Sequence, residues 1–592
     1  MAGKKILVLV LSILCVSLLS YSTYKLIREG KYKGGLIAKV FNPEGLLDDW
    51  IYSPSKNVGK GMYSLSSINK STSSYDSFAA NESTTGTIGF STGGAKDINN
   101  YRDNLKEGYF PLLTDITYEG LFYDYYFDTS TTSVESNNTD SLFIPTASTA
   151  VSADPVSGEN DYYITVGLNS NIKQSDFARK KLNLVVVLDI SGSMSSPITD
   201  YYYDEKPSEK DKTKMKLAEE AVNILIDQLK DYDSLGIVLF DDSAYLAKPL
   251  NKVCDVDMSA IKRHMLEVDA RGGTNFEAGY KLALDLFDDY DLGDASAYEN
   301  RIIVITDAMP NIGSTSSSSL LSMMKDAQKD NINTTFIGVG VDFNTEVVKN
   351  ISNVRGANYY KVSSEEEFKT RMGEQFDYMV TPMIYDLSMT LEGDSYELVK
   401  LYGTDDIDSE NSNTVMHVNT LFPSSTNSSG EVKGGVILLR LKKLNDNGNL
   451  SLKMSWEEVS GKKGSSSLNI SFKDNATYYD NTGIRKAIVL TRYANTVKNW
   501  ISYERTDDDR YLIIPKVGIF DFVDYDTEPV DNNYYGYYSD TERTSVPLTL
   551  DDEYKTVFTT LKSYMEKEIE GIGDTTMQQE IEMLDIILAA NK

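Results

Sequence analysis

Five oxygen-bearing side chains fall in three short segments, each of which follows or includes an apolar run. The segment DISGS supplies Asp189, Ser191 and Ser193, the segment RGGTNFEAG supplies Thr274, and the segment IVITDAMPNIG supplies Asp307. Two carboxylates and three hydroxyls form an all-oxygen set that suits a hard cation, namely Mg²⁺ or alternatively Ca²⁺ or Mn²⁺. The sequence therefore predicts a divalent metal site with one position open for an acidic group of another molecule.

Each segment alone has a simpler interpretation, because Asp, Ser and Thr are also the usual caps of helices that follow strands. The combination favours a shared site, since all three segments come in order at predicted strand ends. Gly272 and Gly273 permit an unusual backbone turn just before Thr274.

The elements that must position these side chains are alternating strands and helices. Nearly continuous aliphatic runs at 184–188, 235–240, 301–306 and 333–339 are typical of parallel strands that are buried on both faces. Between them, apolar residues recur at helical spacing from Ala218 to Leu229 and from Phe276 to Phe287. Open parallel sheets place their sites beyond the carboxyl ends of the strands, which is where the five side chains fall.

The pattern along the chain predicts a multidomain fold of the α/β plus β class. A central doubly wound, Rossmann-like domain is joined by a β-sandwich-like flanking domain and by C-terminal helices. The predicted segments are 1–34 (signal peptide or membrane anchor), 35–180 (Ser/Thr-rich loops and β-strands), 181–380 (the central domain), 381–480 (β-rich, sandwich-like) and 481–592 (helical).

The N-terminus predicts contact with a membrane but leaves the topology open. Lys4 and Lys5 precede an apolar run at 6–19, as in an export signal or a short membrane anchor. Four basic residues between positions 25 and 33 follow the run, and the positive-inside rule would then keep the body in the cytoplasm. We favour export, to a membrane-anchored, extracellular or envelope location.

Composition excludes several classes of function. The 592 residues include 58 Lys and Arg against 88 Asp and Glu, a net charge of −30, which argues against nucleic acid as a partner. Two histidines and the absence of an HExxH motif argue against zinc hydrolysis, and no GxxxxGK[ST] loop supports nucleotide binding. Of the two cysteines, Cys254 is predicted to be a small buried residue. We therefore predict that the protein is not an enzyme.

The segment 181–378 resembles a von Willebrand factor type A domain, and the flanking regions are similar to those of bacterial exported or membrane-anchored proteins with this domain. Asp189, Ser191, Ser193, Thr274 and Asp307 match the family's metal-ion-dependent adhesion site. The resemblance implies that a bound Mg²⁺ completes its shell with an Asp or Glu of a partner protein. It departs from the integrin pattern at Ser196 and Pro197, where paired acids would hold an adjacent cation.

An apparent insertion, SSPITDYYYDEKPSEKD, begins beside the metal motif. Its aromatic residues Tyr201, Tyr202 and Tyr203 are candidates for a rim around the ligand, although a solvated loop without a role is an equal alternative.

The sequence thus predicts a divalent-cation-dependent protein-binding or adhesion protein of the cell surface or envelope. The alternative is an assembly factor or chaperone-like subunit that works with a cytoplasmic ATPase.

Overall fold

A computed structural model of the chain describes residues 46–53, 86–505 and 547–590. Within these ranges it omits residues 95, 131–140, 156–157, 199–211, 289, 295, 308–315, 341–350, 352–353, 363, 405–413, 446–448 and 474–476. The predicted signal or anchor at 1–34 and the predicted rim of Tyr201, Tyr202 and Tyr203 therefore lie outside the described residues.

The strands of the described residues are β1 (Thr87–Thr92), β2 (Tyr126–Phe127), β3 (Phe143–Ala153), β4 (Asn160–Lys173), β5 (Lys181–Asp189), β6 (Ser234–Phe240), β7 (Ala244–Lys252), β8 (Tyr298–Thr306), β9 (Ile332–Val339), β10 (Asn358–Val362), β11 (Ile384–Glu392), β12 (Tyr396–Tyr402), β13 (Thr414–Ser424), β14 (Val432–Lys433), β15 (Val436–Lys443), β16 (Leu450–Glu458), β17 (Lys463–Ile470) and β18 (Tyr478–Tyr479). The α-helices are α1 (Asn99–Lys106), α2 (Tyr118–Tyr123), α3 (Lys214–Gln228), α4 (Met258–Met265), α5 (Phe276–Asp288), α6 (Ser316–Lys329), α7 (Glu365–Lys369), α8 (Phe376–Met379), α9 (Thr482–Arg505), α10 (Asp552–Ile572) and α11 (Gln578–Ala589).

The central domain is a six-stranded sheet in the order β10-β9-β8-β5-β6-β7. All pairs are parallel except β6 with β7, so β7 is an antiparallel edge strand. Helices α3 and α4 cover one face and α5 and α6 the other, and side chains of β5 alternate between the two cores, with Val186 in one and Val187 in the other. The four predicted strands and both predicted helices are confirmed.

A second, ten-stranded sheet contains strands from both sides of the central domain. Its path is β12-β15-β4-β1-β13-β11-β16-β17, and β3 joins it through β4. Strands of the segment 35–180 therefore pair with strands of the segment 381–480, although the two were predicted as separate segments. Local periodicity identifies a strand but not its partner, so pairing across more than 200 residues could not be read from it.

The ten-stranded sheet has a buried core of its own, to which strands that are not paired with each other contribute. The ring of Phe143 in β3 lies 5.0 Å from that of Trp456 in β16, although β3 and β16 are not paired strands. Both residues belong to one buried cluster with side chains of β4, β11, β13 and β15. The multidomain α/β plus β fold class is confirmed.

The C-terminal helices form a third core with α1 and α2. Trp500 of α9 is fully buried, and the hydroxyl of Tyr101 in α1 lies 2.9 Å from that of Tyr493 in α9. Arg102 of α1 forms a buried ion pair with Glu580 of α11. Among the described residues, none of the helices has the length and apolar character needed to cross a bilayer.

Residues 46–53, here called the N-terminal strap, extend the central sheet at its β7 edge. The amide of Ile51 donates to the carbonyl of Ala247 at 2.8 Å, and the amide of Asp257 donates to the carbonyl of Leu47, also at 2.8 Å. Cys254, just after β7, is exposed and not paired in a disulfide. The prediction that it is buried was wrong, because the chain turns at the sheet edge there and its side chain faces solvent.

Candidate metal centre

The first loop of the site folds directly from the end of β5. Asp189, its last residue, is fully buried, and the amide of Ser191 donates to its Oδ1 at 2.8 Å. The hydroxyls of Ser191 and Ser193 lie 3.1 Å apart. A short helical turn that begins at Gly192 thus places both serine hydroxyls next to each other.

The third loop brings the second carboxylate to the same place. Asp307 follows β8, which pairs with β5, and the hydroxyl of Ser193 donates to its Oδ1 at 2.9 Å. Thr306, one residue earlier, donates from its hydroxyl to Oδ2 of Asp189 at 2.6 Å. Hydrogen bonds therefore link the ends of two neighbouring strands through four side chains that carry oxygen.

The glycine-containing second loop lies against the first. The amide of Gly192 donates to the carbonyl of Gly272 at 3.0 Å, and the amide of Arg271 donates to the carbonyl of Ile190 at 2.6 Å. Gly272 has φ +72°, and a Cβ atom there would come within 2.8 Å of an Asp242 carboxylate oxygen. Glycine is thus required by both backbone conformation and space, which agrees with the predicted turn. Thr274 follows at the same edge, just before α5, with its side chain exposed.

A lysine that the sequence analysis did not identify also belongs to this cluster. Nζ of Lys214, the first residue of α3, lies 3.0 Å from Oδ2 of Asp307, and only 5% and 2% of the two side chains are exposed. A cation in the first turn of a helix is disfavoured by the helix dipole, but the sequence does not show which carboxylate lies beside this lysine.

Electrostatics in the cluster favour an added cation. Burial, and next the carboxylate of Asp307, raise the pKa of Asp189 to about 7, while hydrogen bonds from Thr306 and Ser191 oppose the shift. Two carboxylates held together out of water repel each other, and a positive ion between them removes that repulsion.

The residues fit a hard divalent cation by the chemistry of their donors. Asp189, Ser191, Ser193, Thr274 and Asp307 would supply oxygen ligands directly or through water. Within the described part of the chain, no group of three or more His, Cys, Asp and Glu side chains is placed to hold a metal. The candidate site has only two carboxylates, and the rest of its donors are hydroxyls.

The structure thus brings four of the five predicted residues into one hydrogen-bonded cluster, and it places the loop of Thr274 beside them. Their role as metal ligands remains a prediction.

Comparison with known proteins agrees with this geometry. Residues 184–310 match the family model described as von Willebrand factor type A domain. The protein YfbK of Escherichia coli K12 is 25% identical over 211 residues, which are 36% of this chain and 33% of YfbK. Human inter-alpha-trypsin inhibitor heavy chain H2 is 21% identical over 206 residues, which are 34% of this chain and 20% of that protein. The match thus spans a third or less of each relative.

Two solved structures are similar over a longer part of the chain. A von Willebrand factor type A protein from Catenulispora acidiphila shares 15% identity, with 62% of this chain and 82% of that chain covered and a TM-score of 0.36. The ArnB paralog VWA2 from Sulfolobus acidocaldarius shares 14% identity, with 76% and 97% covered and a TM-score of 0.34.

Proposed function

Because residues 184–310 of this chain match the von Willebrand factor type A domain, we propose that it binds a partner protein through a divalent cation, preferably Mg²⁺, at the carboxyl edge of its central sheet. The partner supplies an Asp or Glu side chain to the metal. The observation that carries the proposal is the hydrogen-bonded cluster of Asp189, Ser191, Ser193 and Asp307 at the ends of β5 and β8.

The burial pattern supports an approach of the partner from one side. Asp189 and Asp307 are buried, whereas Ser193 and Thr274 are exposed at the same edge. A cation seated on the carboxylates would therefore face solvent on the side of the hydroxyls. Mg²⁺ usually keeps water ligands in such a position, and a carboxylate can replace one of them.

The rest of the proposal concerns location and class. The apolar run after Lys4 and Lys5 supports export to the cell surface or envelope, with or without a membrane anchor. The five predicted ligands are carboxylates and hydroxyls, which are the donors of a hard-cation site, and this supports binding rather than catalysis. The acidic net charge of −30 supports a protein rather than a nucleic acid partner.

The first test is calorimetric titration of Mg²⁺ into the full chain. Asp189→Ala removes a central carboxylate, so we expect a loss of Mg²⁺ affinity of at least about 100-fold, since even outer partners of a metal site are worth about 10- to 100-fold. The control is Asp285→Ala, which removes an exposed carboxylate of α5 and should bind like the wild type. Equal affinity in all three proteins would contradict the proposed site.

The second test concerns the partner. Immobilised wild-type chain is exposed to cell-surface extract in Mg²⁺ or in EDTA, beside the Asp189→Ala variant. A partner retained only by the wild type in Mg²⁺ is the expected result. Equal retention in Mg²⁺ and in EDTA, and by the wild type and Asp189→Ala, would contradict metal-dependent binding.

Protease treatment of intact cells tests the location, because an exported body is cut whereas a cytoplasmic one is protected.

A further inference from the structure

Lys214 enters the proposed metal site as a fixed positive charge. Its Nζ lies 3.0 Å from Oδ2 of Asp307, and Oδ1 of that carboxylate accepts from Ser193 at 2.9 Å. The ammonium group and the second serine of the metal motif therefore contact the same carboxylate. Any cation that binds there would lie close to the lysine charge.

Two other parts of the backbone hold the lysine in place. The amide of Lys214 donates to the carbonyl of Ser196 at 2.9 Å, and the hydroxyl of Thr213 caps α3 by accepting from the amide of Lys216. Gly340 follows β9 with φ +90°, and a Cβ atom there would lie 2.9 Å from Cε of Lys214. The glycine thus leaves the room that the lysine side chain occupies.

The helix itself does not favour a cation at this position. Lys214 is the first residue of α3, where the unpaired amides of a helix give a partial positive charge. Its burial is a further cost that the contact with Asp307 must offset. The contact with Asp307, rather than the stability of α3, therefore explains why a buried lysine occupies this position.

The charges decide how this lysine acts. With both carboxylates ionised, the two carboxylates and one ammonium give the metal-free cluster a net charge of −1, and a divalent cation changes it to +1. We propose that Lys214 determines the specificity of the site for a partner that carries a carboxylate. It lowers the cation affinity of the ligand-free site and leaves a positive charge that the partner's carboxylate neutralises. This inference rests on the proposed function, because it assigns a role within the same metal site.

The test is titration of Mg²⁺ into the full chain and three variants of it. Lys214→Gln removes the charge but keeps a hydrogen-bond donor for Asp307, and Lys214→Met removes both. We expect both variants to bind Mg²⁺ at least about tenfold more tightly than the wild type, because like charges in a buried site interact strongly. Lys216→Met is the matched control, since it removes a half-exposed lysine of the same helix that pairs with Glu219, and it should bind like the wild type.

A second arm uses acetate as the carboxylate probe, with chloride at the same ionic strength as its reference. Acetate should increase the Mg²⁺ affinity of the wild type more than that of Lys214→Gln, because only the wild-type site keeps the extra positive charge. Circular dichroism without metal verifies that each variant is folded.

The outcomes separate the two proposals. Binding by the wild type with equal or weaker binding by folded Lys214→Gln and Lys214→Met would overturn the role of Lys214 alone. An acetate effect of the same size in the wild type and Lys214→Gln would also overturn it. No binding in any of the proteins would overturn the metal site and the lysine's role together.

Discussion

Asp189 is the residue at which burial and the proposed metal binding would act against each other. Its carboxyl group is fully buried beside Asp307, and its pKa is raised to about 7. Only the ionised form is a good ligand, so a proton competes with the metal for this side chain.

We expect the Mg²⁺ affinity to decrease about tenfold between about pH 8 and about pH 6, because a group with a pKa near 7 is mostly ionised at the first and mostly protonated at the second. Titration calorimetry at the two pH values measures the change, and injection of Mg²⁺ into each buffer without protein serves as its control. An affinity that does not vary with pH would show that Asp189 does not titrate in this range.

The same shift has a consequence for the metal-free protein. The folded-state pKa lies above the ordinary value of 3.8, so the folded state binds more protons than the unfolded state between these values. The contribution of Asp189 to the free energy of unfolding is therefore present at low pH and is lost as the pH rises towards 7. A divalent cation bound at the proposed site would counteract this loss.

For the individual residues of the candidate site, the sequence predicts most positions. Asp189, Ser191 and Ser193 are adjacent in the chain, and Asp307 joins them because parallel strands end at the same edge. Lys214 could not be assigned in this way, because its contact depends on where α3 begins and on the space that Gly340 leaves. The rim of Tyr201, Tyr202 and Tyr203 stays a prediction.

Among the elements, the N-terminal strap has a defined anchor in the central domain. Oδ2 of Asp49 lies 3.1 Å from Nζ of Lys248 in β7 and accepts from Asn251 at 2.7 Å. Lys248 is fully buried, and burial lowers its pKa while Asp49 opposes that shift. The strap therefore supplies the counter-charge of a lysine inside the sheet edge.

Replacement of Asp49 by Ala should lower the free energy of unfolding by about 3–5 kcal/mol, because it leaves a buried ammonium group without its carboxylate. Urea unfolding followed by fluorescence measures the change. Asp48→Ala is the matched control, since Asp48 is 47% exposed and pairs with His264 at the surface, where a pair contributes at most about 1 kcal/mol. Equal effects of the two changes would contradict an anchoring role for Asp49.

The strap and β7 also show where element prediction from sequence fails. The sequence of β7, AYLAKPLNK, has a proline and two lysines, as edge strands often do, and its pattern is too polar to identify as a strand. Of the five parallel strands, the four that contain nearly continuous apolar runs were identified, and β10, whose sequence is NYYKV, was not.

In the whole molecule, the central domain is an insertion between β4 and β11 of the ten-stranded sheet. The two connecting segments lie side by side, because the ring of Phe177 stacks on that of Tyr378 at 5.0 Å. Arg179 joins them, with its Nε 2.6 Å from Asp377 and its Nη1 3.0 Å from Asp233. This neck, residues 177–179 with 377–378, is a contact that no local sequence pattern indicates.

Arg179→Met should lower the free energy of unfolding by about 3–5 kcal/mol, because Asp233 is fully buried and would lose its cation. Arg355→Met is the matched control: Arg355 also contacts two carboxylates, Asp386 and Glu457, but is 30% exposed, so about 1 kcal/mol or less is expected. Urea unfolding of both variants measures the two changes, and equal effects would contradict the larger contribution expected of the buried Arg179 contacts.

The position of the neck determines how a mechanical load would pass through the protein. Arg179 precedes β5 and Asp189 ends it, so the neck and the proposed metal site lie at opposite ends of one strand, which is about 26 Å long at the usual rise per residue. A pull on a partner held at the metal site would run along the central sheet and reach the ten-stranded sheet through two chain segments at once. The tension would therefore divide between the two chain segments of the neck, residues 177–179 and residues 377–378.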